Sequence, residues 1–237
     1  MPMNSAPAEL VAIDVSATVR VSGLWQLPSR AKASLVLAHG AGAGMRHPFM
    51  EAMASELDAR GIATLRYQFP YMERGGRRTD PPELCHATVR AAVITAAGLA
   101  PSLPRFAGGK SFGGRMTSQT QAEAVLPEVR GLAFLGFPLH PPARPSDLRA
   151  HHLFDVRVPL LFLQGTRDQF AELPLLRPLL ERLGARATLM LFEDADHSYH
   201  VRARAGLTDA QIRAQVVQGL ADWINTVLTF PALPSEK

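Results

Sequence analysis

The sequence predicts an α/β protein built on a mostly parallel central sheet with helices on both faces. Three observations lead there. Short runs that are apolar almost throughout recur at 34–39 (SLVLAH), 62–67, 131–136 (GLAFLG), 158–164 (VPLLFLQ) and 187–192. Stretches with apolar residues at helical spacing separate most of them, and glycine and proline punctuate the junctions. A strand covered on both faces has no polar side to present. Continuous apolar runs that alternate with helices therefore mean a parallel sheet buried twice.

Each element has its own signal. The stretch 12–27 is rich in β-formers, is interrupted by Gly23, and predicts an opening antiparallel pair. After the strand at 34–39, His47-Pro48 opens a helix that carries Met50, Met53, Ala54 and Leu57 on one face and stops at Gly61. Beyond the strand at 62–67 comes a loop with Arg74, Arg77 and Arg78 around two glycines. Asp80-Pro81-Pro82-Glu83 reads as a helix start with Asp80 as N-cap, and that helix runs to about Gly98. A short strand at 104–109 leads into a helix from Phe112 to about Ala124. The helical stretch 172–183 contains Pro174 and Pro178, which leaves its first turn open. Thr208 and Gln211 form a capping box, and the closing helix places Ile212, Val216, Leu220, Trp223, Ile224 and Val227 on one stripe.

The chain of 237 residues is expected to form one domain over its whole length, with 47% hydrophobic and 19% charged residues. No apolar stretch suits a membrane span, and the first ten residues lack the basic and apolar regions of a signal peptide. A cytoplasmic location with no membrane partner is the expectation. Cys85 is the single cysteine, which excludes an internal disulfide and a cysteine metal cluster. A net charge of +4 raises nucleic acid as a partner. The arginines are mostly scattered, however, and basic runs are usually solvated faces. No nucleic-acid partner is expected, and the loop at 74–78 reads as exposed, with contact to an anionic substrate as the alternative.

In a doubly covered parallel sheet, sites form at the carboxyl ends of the strands. After the strand at 104–109 comes Gly109-Lys110-Ser111-Phe112-Gly113. This G-x-S-x-G pattern is a nucleophile elbow, a strained strand-to-helix turn that raises a serine hydroxyl and requires small neighbours. Ser111 is the candidate nucleophile. Serine needs a base, and among eight histidines His197 follows the last strand and precedes the last helix. His200 on the same loop is the reserve, and His39 reads as structural. A base in turn needs an acid to fix its tautomer. Asp168, in the turn after the strand at 158–164, completes the order Ser, Asp, His; Asp194 and Asp196 compete from the histidine's own loop. The glycine-rich loop 39–44 offers a backbone N–H at Ala41, with Gly42 in reserve, to pair with that of Phe112 as an oxyanion hole. Met45, His140 and Tyr199 are candidate substrate-binding walls, each equally readable as packing. The P-loop and dinucleotide patterns fail on spacing, since Pro104, Met45 and His47 stand where glycines are required. Metal-ligand spacing is absent, so no metal is expected.

The motifs HGAGAGMRHPFM, RYQFPYMERGG, GGKSFGGRM, GFPLHPP, QGTRD and DADHS resemble the small bacterial α/β-hydrolases of the dienelactone-hydrolase-like group. Within that group they resemble a branch related to a subunit of a chromatin acetyltransferase complex. The resemblance spans roughly residues 34 to 228. It implies the α/β-hydrolase fold, a hydrolase without cofactors, and Ser111, Asp168 and His197 as the catalytic residues. Dienelactone hydrolases proper use cysteine as nucleophile, where this sequence has Ser111. The expected reaction is cleavage of a small-molecule ester or thioester through an acyl-enzyme. The roughly twenty residues between the strands at 131–136 and 158–163 are rich in proline, which implies a minimal lid and an open site. The alternative is a non-catalytic interaction protein on the same fold.

Overall fold

The structure, a computed structural model, describes residues 5–229. Eight strands form one sheet: β1 (Glu9–Asp14), β2 (Arg20–Gln26), β3 (Ala33–Ala38), β4 (Ile62–Tyr67), β5 (Arg105–Lys110), β6 (Val129–Leu135), β7 (Leu160–Gly165) and β8 (Ala187–Phe192). Their order across the sheet is β1-β2-β4-β3-β5-β6-β7-β8. The first pair and the β2–β4 pair are antiparallel, and every later pair is parallel. The helices are α1 (Pro48–Asp58), α2 (Pro70–Glu73), α3 (Pro82–Leu99), α4 (Phe112–Glu123), α5 (Leu173–Leu183) and α6 (Asp209–Thr229).

Period-two alternation divides the strand side chains between two cores. On β3, Val36 and Ala38 belong to the core that also takes in residues of α3, α4 and α5, whereas Leu35 and Leu37 belong to the one that takes in residues of α1 and α6. The predicted stripe on α6 is buried at Ile212, Val216, Leu220, Trp223 and Ile224. Burying each such side chain contributes about 1.5–3 kcal/mol, which is what fastens this helix to the sheet. Its capping box is formed: the Gln211 amide N–H donates to Thr208 Oγ1 at 3.2 Å, and Gln211 Oε1 accepts from the Thr208 N–H at 2.8 Å.

Two local expectations need correction. Asp80 does not cap α3; Pro81 occupies the N-cap position, and no side chain bonds there. The Asp80 carboxylate instead accepts from the Tyr71 N–H at 2.7 Å and from Arg74 at 2.6 Å. It closes the arginine loop back on α2, a four-residue helix that follows Phe69 and is too short for sequence periodicity to reveal. Between β6 and β7 the chain forms only a short 3₁₀ segment, Leu148–Asp155. That matches the minimal lid and leaves the carboxyl edge of the sheet open. Among the described residues no helix is long and apolar enough to cross a membrane.

Candidate functional site

The turn from β5 into α4 fixes the candidate nucleophile. Ser111 adopts φ 50°, ψ −113°, outside the regions comfortable for a residue with a Cβ. Such a backbone costs about 1–3 kcal/mol and persists only where surroundings enforce it. Here they do. A Cβ at Gly109 would meet the Ala38 carbonyl oxygen at 2.5 Å, and one at Gly113 would meet the His39 carbonyl oxygen at 2.5 Å. Only glycine at both places lets α4 start this close to β3.

Three side chains that are distant in sequence converge above this turn. The Ser111 hydroxyl lies 2.8 Å from His197 Nε2, and His197 Nδ1 lies 2.7 Å from Asp168 Oδ2. The side chain of Asp168 is fully buried, which favours the tautomer in which Nδ1–H donates to it and Nε2 accepts from the serine. Burial pulls the His197 pKa below its ordinary value, the hydrogen bond to Asp168 raises it, and the Lys110 charge adds to the lowering. Asp194 and Asp196 do not reach the ring. The Asp196 carboxylate accepts from the N–H groups of Ser198 and His200, and His200 faces outward on Asp209.

Sequence reasoning missed three supports. Gln164 donates to Asp168 Oδ2 at 2.5 Å while its Oε1 accepts from the Phe137 N–H. The only signal was an amide closing an otherwise apolar run. The Phe170 ring packs on the His197 ring at 4.3 Å between centroids, and the Phe170 N–H donates to Asp168 Oδ1 at 2.8 Å. Nothing in the sequence pointed to it. Lys110 donates to the His197 carbonyl at 2.6 Å.

The loop after β3 is held from within. The Gly40 carbonyl accepts from the Ala43 N–H and from His39 Nδ1, and the Ala41 carbonyl accepts from the Tyr71 hydroxyl. A trans peptide points its N–H opposite its C=O, so the Ala41 N–H is turned away from these anchors. Neither it nor the Phe112 N–H has an acceptor among the described residues. His39 is structural, as read: Nε2 accepts from the Phe69 N–H, and burial lowers its pKa to about 4.

The three expected pocket walls are corrected. Tyr199 is buried with its hydroxyl on the Leu163 carbonyl and its ring stacked on Phe49. Met45 is buried, with its backbone bonded to Gln68 and Arg66. His140 is fully buried, and its N–H donates to the Phe170 carbonyl. Each belongs to the packing beneath the site and offers a substrate almost no surface. A second serine–histidine contact, Ser118 with His152 at 2.8 Å, lies on α4 behind the elbow. Ser118 is buried there and donates to the Arg115 carbonyl, and among the described residues no carboxylate bonds to His152. A cavity of about 890 Å³ opens at the opposite edge of the sheet beside Pro104, Glu128, Pro159 and Trp223. None of Ser111, His197 and Asp168 lines it.

An alpha/beta hydrolase domain family model matches residues 31–225. Among solved structures, the chain is similar to a dienelactone hydrolase from Anabaena variabilis, with a TM-score of 0.73 at 21% identity over 94% of this chain and 99% of that one. It is also similar to a lidless α/β serine hydrolase from Xanthomonas campestris, with a TM-score of 0.71 at 20% identity over 99% and 100% of the two chains. A third similarity is to a dienelactone hydrolase-like promiscuous phosphotriesterase from metagenomic libraries, with a TM-score of 0.69 at 15% identity over 94% and 99%.

Proposed function

The chain belongs to the alpha/beta hydrolase domain family, and from that premise we propose that it is a serine hydrolase that cleaves a small ester or thioester through an acyl-enzyme. The observation that carries this reading is the unbroken relay Ser111 Oγ–His197–Asp168, with both links at 2.7–2.8 Å. Ser111 Oγ attacks the substrate carbonyl while His197 Nε2 takes the hydroxyl proton, and the buried Asp168 carboxylate stabilises the resulting imidazolium. The N–H groups of Ala41 and Phe112 receive the oxyanion of the tetrahedral intermediate. Collapse breaks the bond to the leaving group, which departs with the proton from His197. Water, deprotonated by His197, then attacks acyl-Ser111, and the acid product leaves. No residue in the relay requires a metal or organic cofactor. The short, proline-rich crossing between β6 and β7 favours small or mobile acyl groups that need no cover.

Labelling with a fluorophosphonate, followed by mapping of the modified peptide, tests the reading. Wild-type protein is expected to be modified at Ser111, and Ser111→Ala to stay unmodified. Absence of labelling in folded wild type, or modification at Ser118 instead, defeats the proposal.

A further inference from the structure

A half-buried lysine places its ammonium group directly behind the proposed triad. Lys110 is the last residue of β5 and precedes Ser111. Its side chain passes the loop after β3, where a Cβ on Gly40 would lie 3.7 Å from Lys110 Cγ. It then passes Gly136 at the end of β6, where the backbone has φ +69° and a Cβ would approach Lys110 Nζ to 3.1 Å and the His197 ring to 3.4 Å. Its Nζ ends on the His197 carbonyl at 2.6 Å, 5.7 Å from the centre of the Tyr199 ring. Among the described residues that carbonyl is its one hydrogen-bond acceptor.

The loop that receives this contact is a strained one. Asp194 and Tyr199, on either side of His197, have φ of 58° and 63°. Without tethers such a segment relaxes, and a base displaced by an ångström loses most of its value. We propose that Lys110 is a positioning residue: its ammonium ties the His197 loop to the strand that carries Ser111, and its charge keeps the imidazole in the neutral form that accepts a proton. This rests on the triad reading above.

The charged neighbours are consistent with both tasks. Asp168 from the turn after β7 and Asp196 from the loop after β8 favour the ammonium, while burial opposes it and brings the Lys110 pKa down to about 8. His39 on the β3 side is neutral above its pKa of about 4. The Lys110 charge in turn lowers the His197 pKa. Below about pH 8 the group is therefore charged and donates a charge-assisted bond; above it, the amine donates a weaker one.

Lys110→Met removes donor and charge at nearly constant length, and Lys110→Arg keeps both. Hydrolysis of p-nitrophenyl acetate by the full chain, followed from pH 5 to 10, provides the readouts. With Met, kcat is expected to fall roughly ten- to a hundredfold, the equivalent of one hydrogen bond to a charged group, with KM little changed. Removing a charge that lowers the His197 pKa moves the acid limb of kcat/KM to higher pH. The wild-type decline above about pH 8 should disappear in the Met variant, and Arg should return the acid limb to its wild-type position. The thermal midpoint of the Met variant should not fall, because partly desolvating an ammonium costs stability that a thioether does not lose. If the Met variant does not fold, the comparison passes to wild type and Arg, and only wild type should decline near pH 8. Wild-type kcat with an unmoved acid limb in Lys110→Met, or a loss explained wholly by unfolded protein, overturns the proposal. Missing fluorophosphonate labelling in wild type overturns the triad reading instead, so the two failures are distinguishable.

Discussion

The elbow around Ser111 and the loop around His197 carry the two halves of one proposed proton relay, yet they are held by different physics. The elbow is set by exclusion. Gly109, Gly113 and Gly114 pack so closely on Ala38, His39 and one another that a Cβ at any of them would approach backbone atoms to within 2.7 Å. The His197 loop is set by attachment. Arg167 donates to the Asp194 carbonyl, its backbone N–H donates to the Ala195 carbonyl, Thr166 Oγ1 accepts from the Asp194 N–H, and Lys110 holds the His197 carbonyl. Exclusion is local in sequence and tolerates no added atoms. Attachment is spread over several strands and degrades one bond at a time.

The largest effect should come where attachment meets chemistry. Asp168→Asn keeps the shape of the side chain and its packing under Gln164 and Phe170 but presents His197 Nδ1 with an amide. The imidazole then settles in the tautomer that donates to Ser111 rather than accepting its proton. A loss in kcat on the order of 10³–10⁴-fold is expected, with KM nearly unchanged, since Asp168 does not line the open cleft. Steady-state kinetics on a small ester, with circular dichroism to verify folding, checks this. Near-normal turnover would remove Asp168 from the relay.

At the elbow the expected effect is on stability. Gly113→Ala gains up to about 1 kcal/mol of helix propensity. It also places a methyl group 2.5 Å from the His39 carbonyl oxygen and 2.7 Å from Ala38 Cβ. Overpacking against backbone costs about 1–3 kcal/mol or more, so the net effect should be destabilising. Urea unfolding should give a lower midpoint at an unchanged slope. A stabilised variant would mean that the elbow has room the distances deny.

The same contrast explains how much was legible in the sequence. The elbow could be read directly, because its requirement for small residues falls on adjacent positions. The order Ser, Asp, His could be read because loops after parallel strands share one edge of the sheet. Lys110 as a tether could not: it meets the carbonyl of a residue 87 positions away, and only the β5-β6-β7-β8 order brings the two together. Phe170 was equally hidden, because a phenylalanine in a turn carries no mark of what it stacks on. Met45, His140 and Tyr199, readable from the sequence as wall or as packing, show the converse. Residue type and position at the edge of a sheet do not reveal whether a side chain turns toward the cleft or back into the core. Asp80 shows the same limit at short range, since a carboxylate before Pro-Pro suits a helix cap and a loop anchor alike.

The smallest effect should appear at Asp194, the rival acid on the histidine's own loop. Its backbone is well used: the N–H donates to Thr166 and the carbonyl accepts from Arg167. Its carboxylate has no hydrogen-bond partner among the described residues, and its φ of 58° lies in the left-handed region. Asparagine accepts that region as readily as aspartate does. Asp194→Asn should therefore leave kcat within about twofold of wild type and stability within about 0.5 kcal/mol, the ordinary range for a side chain that touches nothing critical. Asp194→Val separates backbone from side chain, because a β-branched residue is strained at positive φ. It should cost about 1–3 kcal/mol in stability while the surviving folded protein keeps most of its turnover. Measured side by side with Asp168→Asn, the Asn variant at 194 decides between the two carboxylates. A thousandfold loss at 194 with little at 168 would reverse the assignment, and it would mean that the loop rather than the turn after β7 supplies the acid.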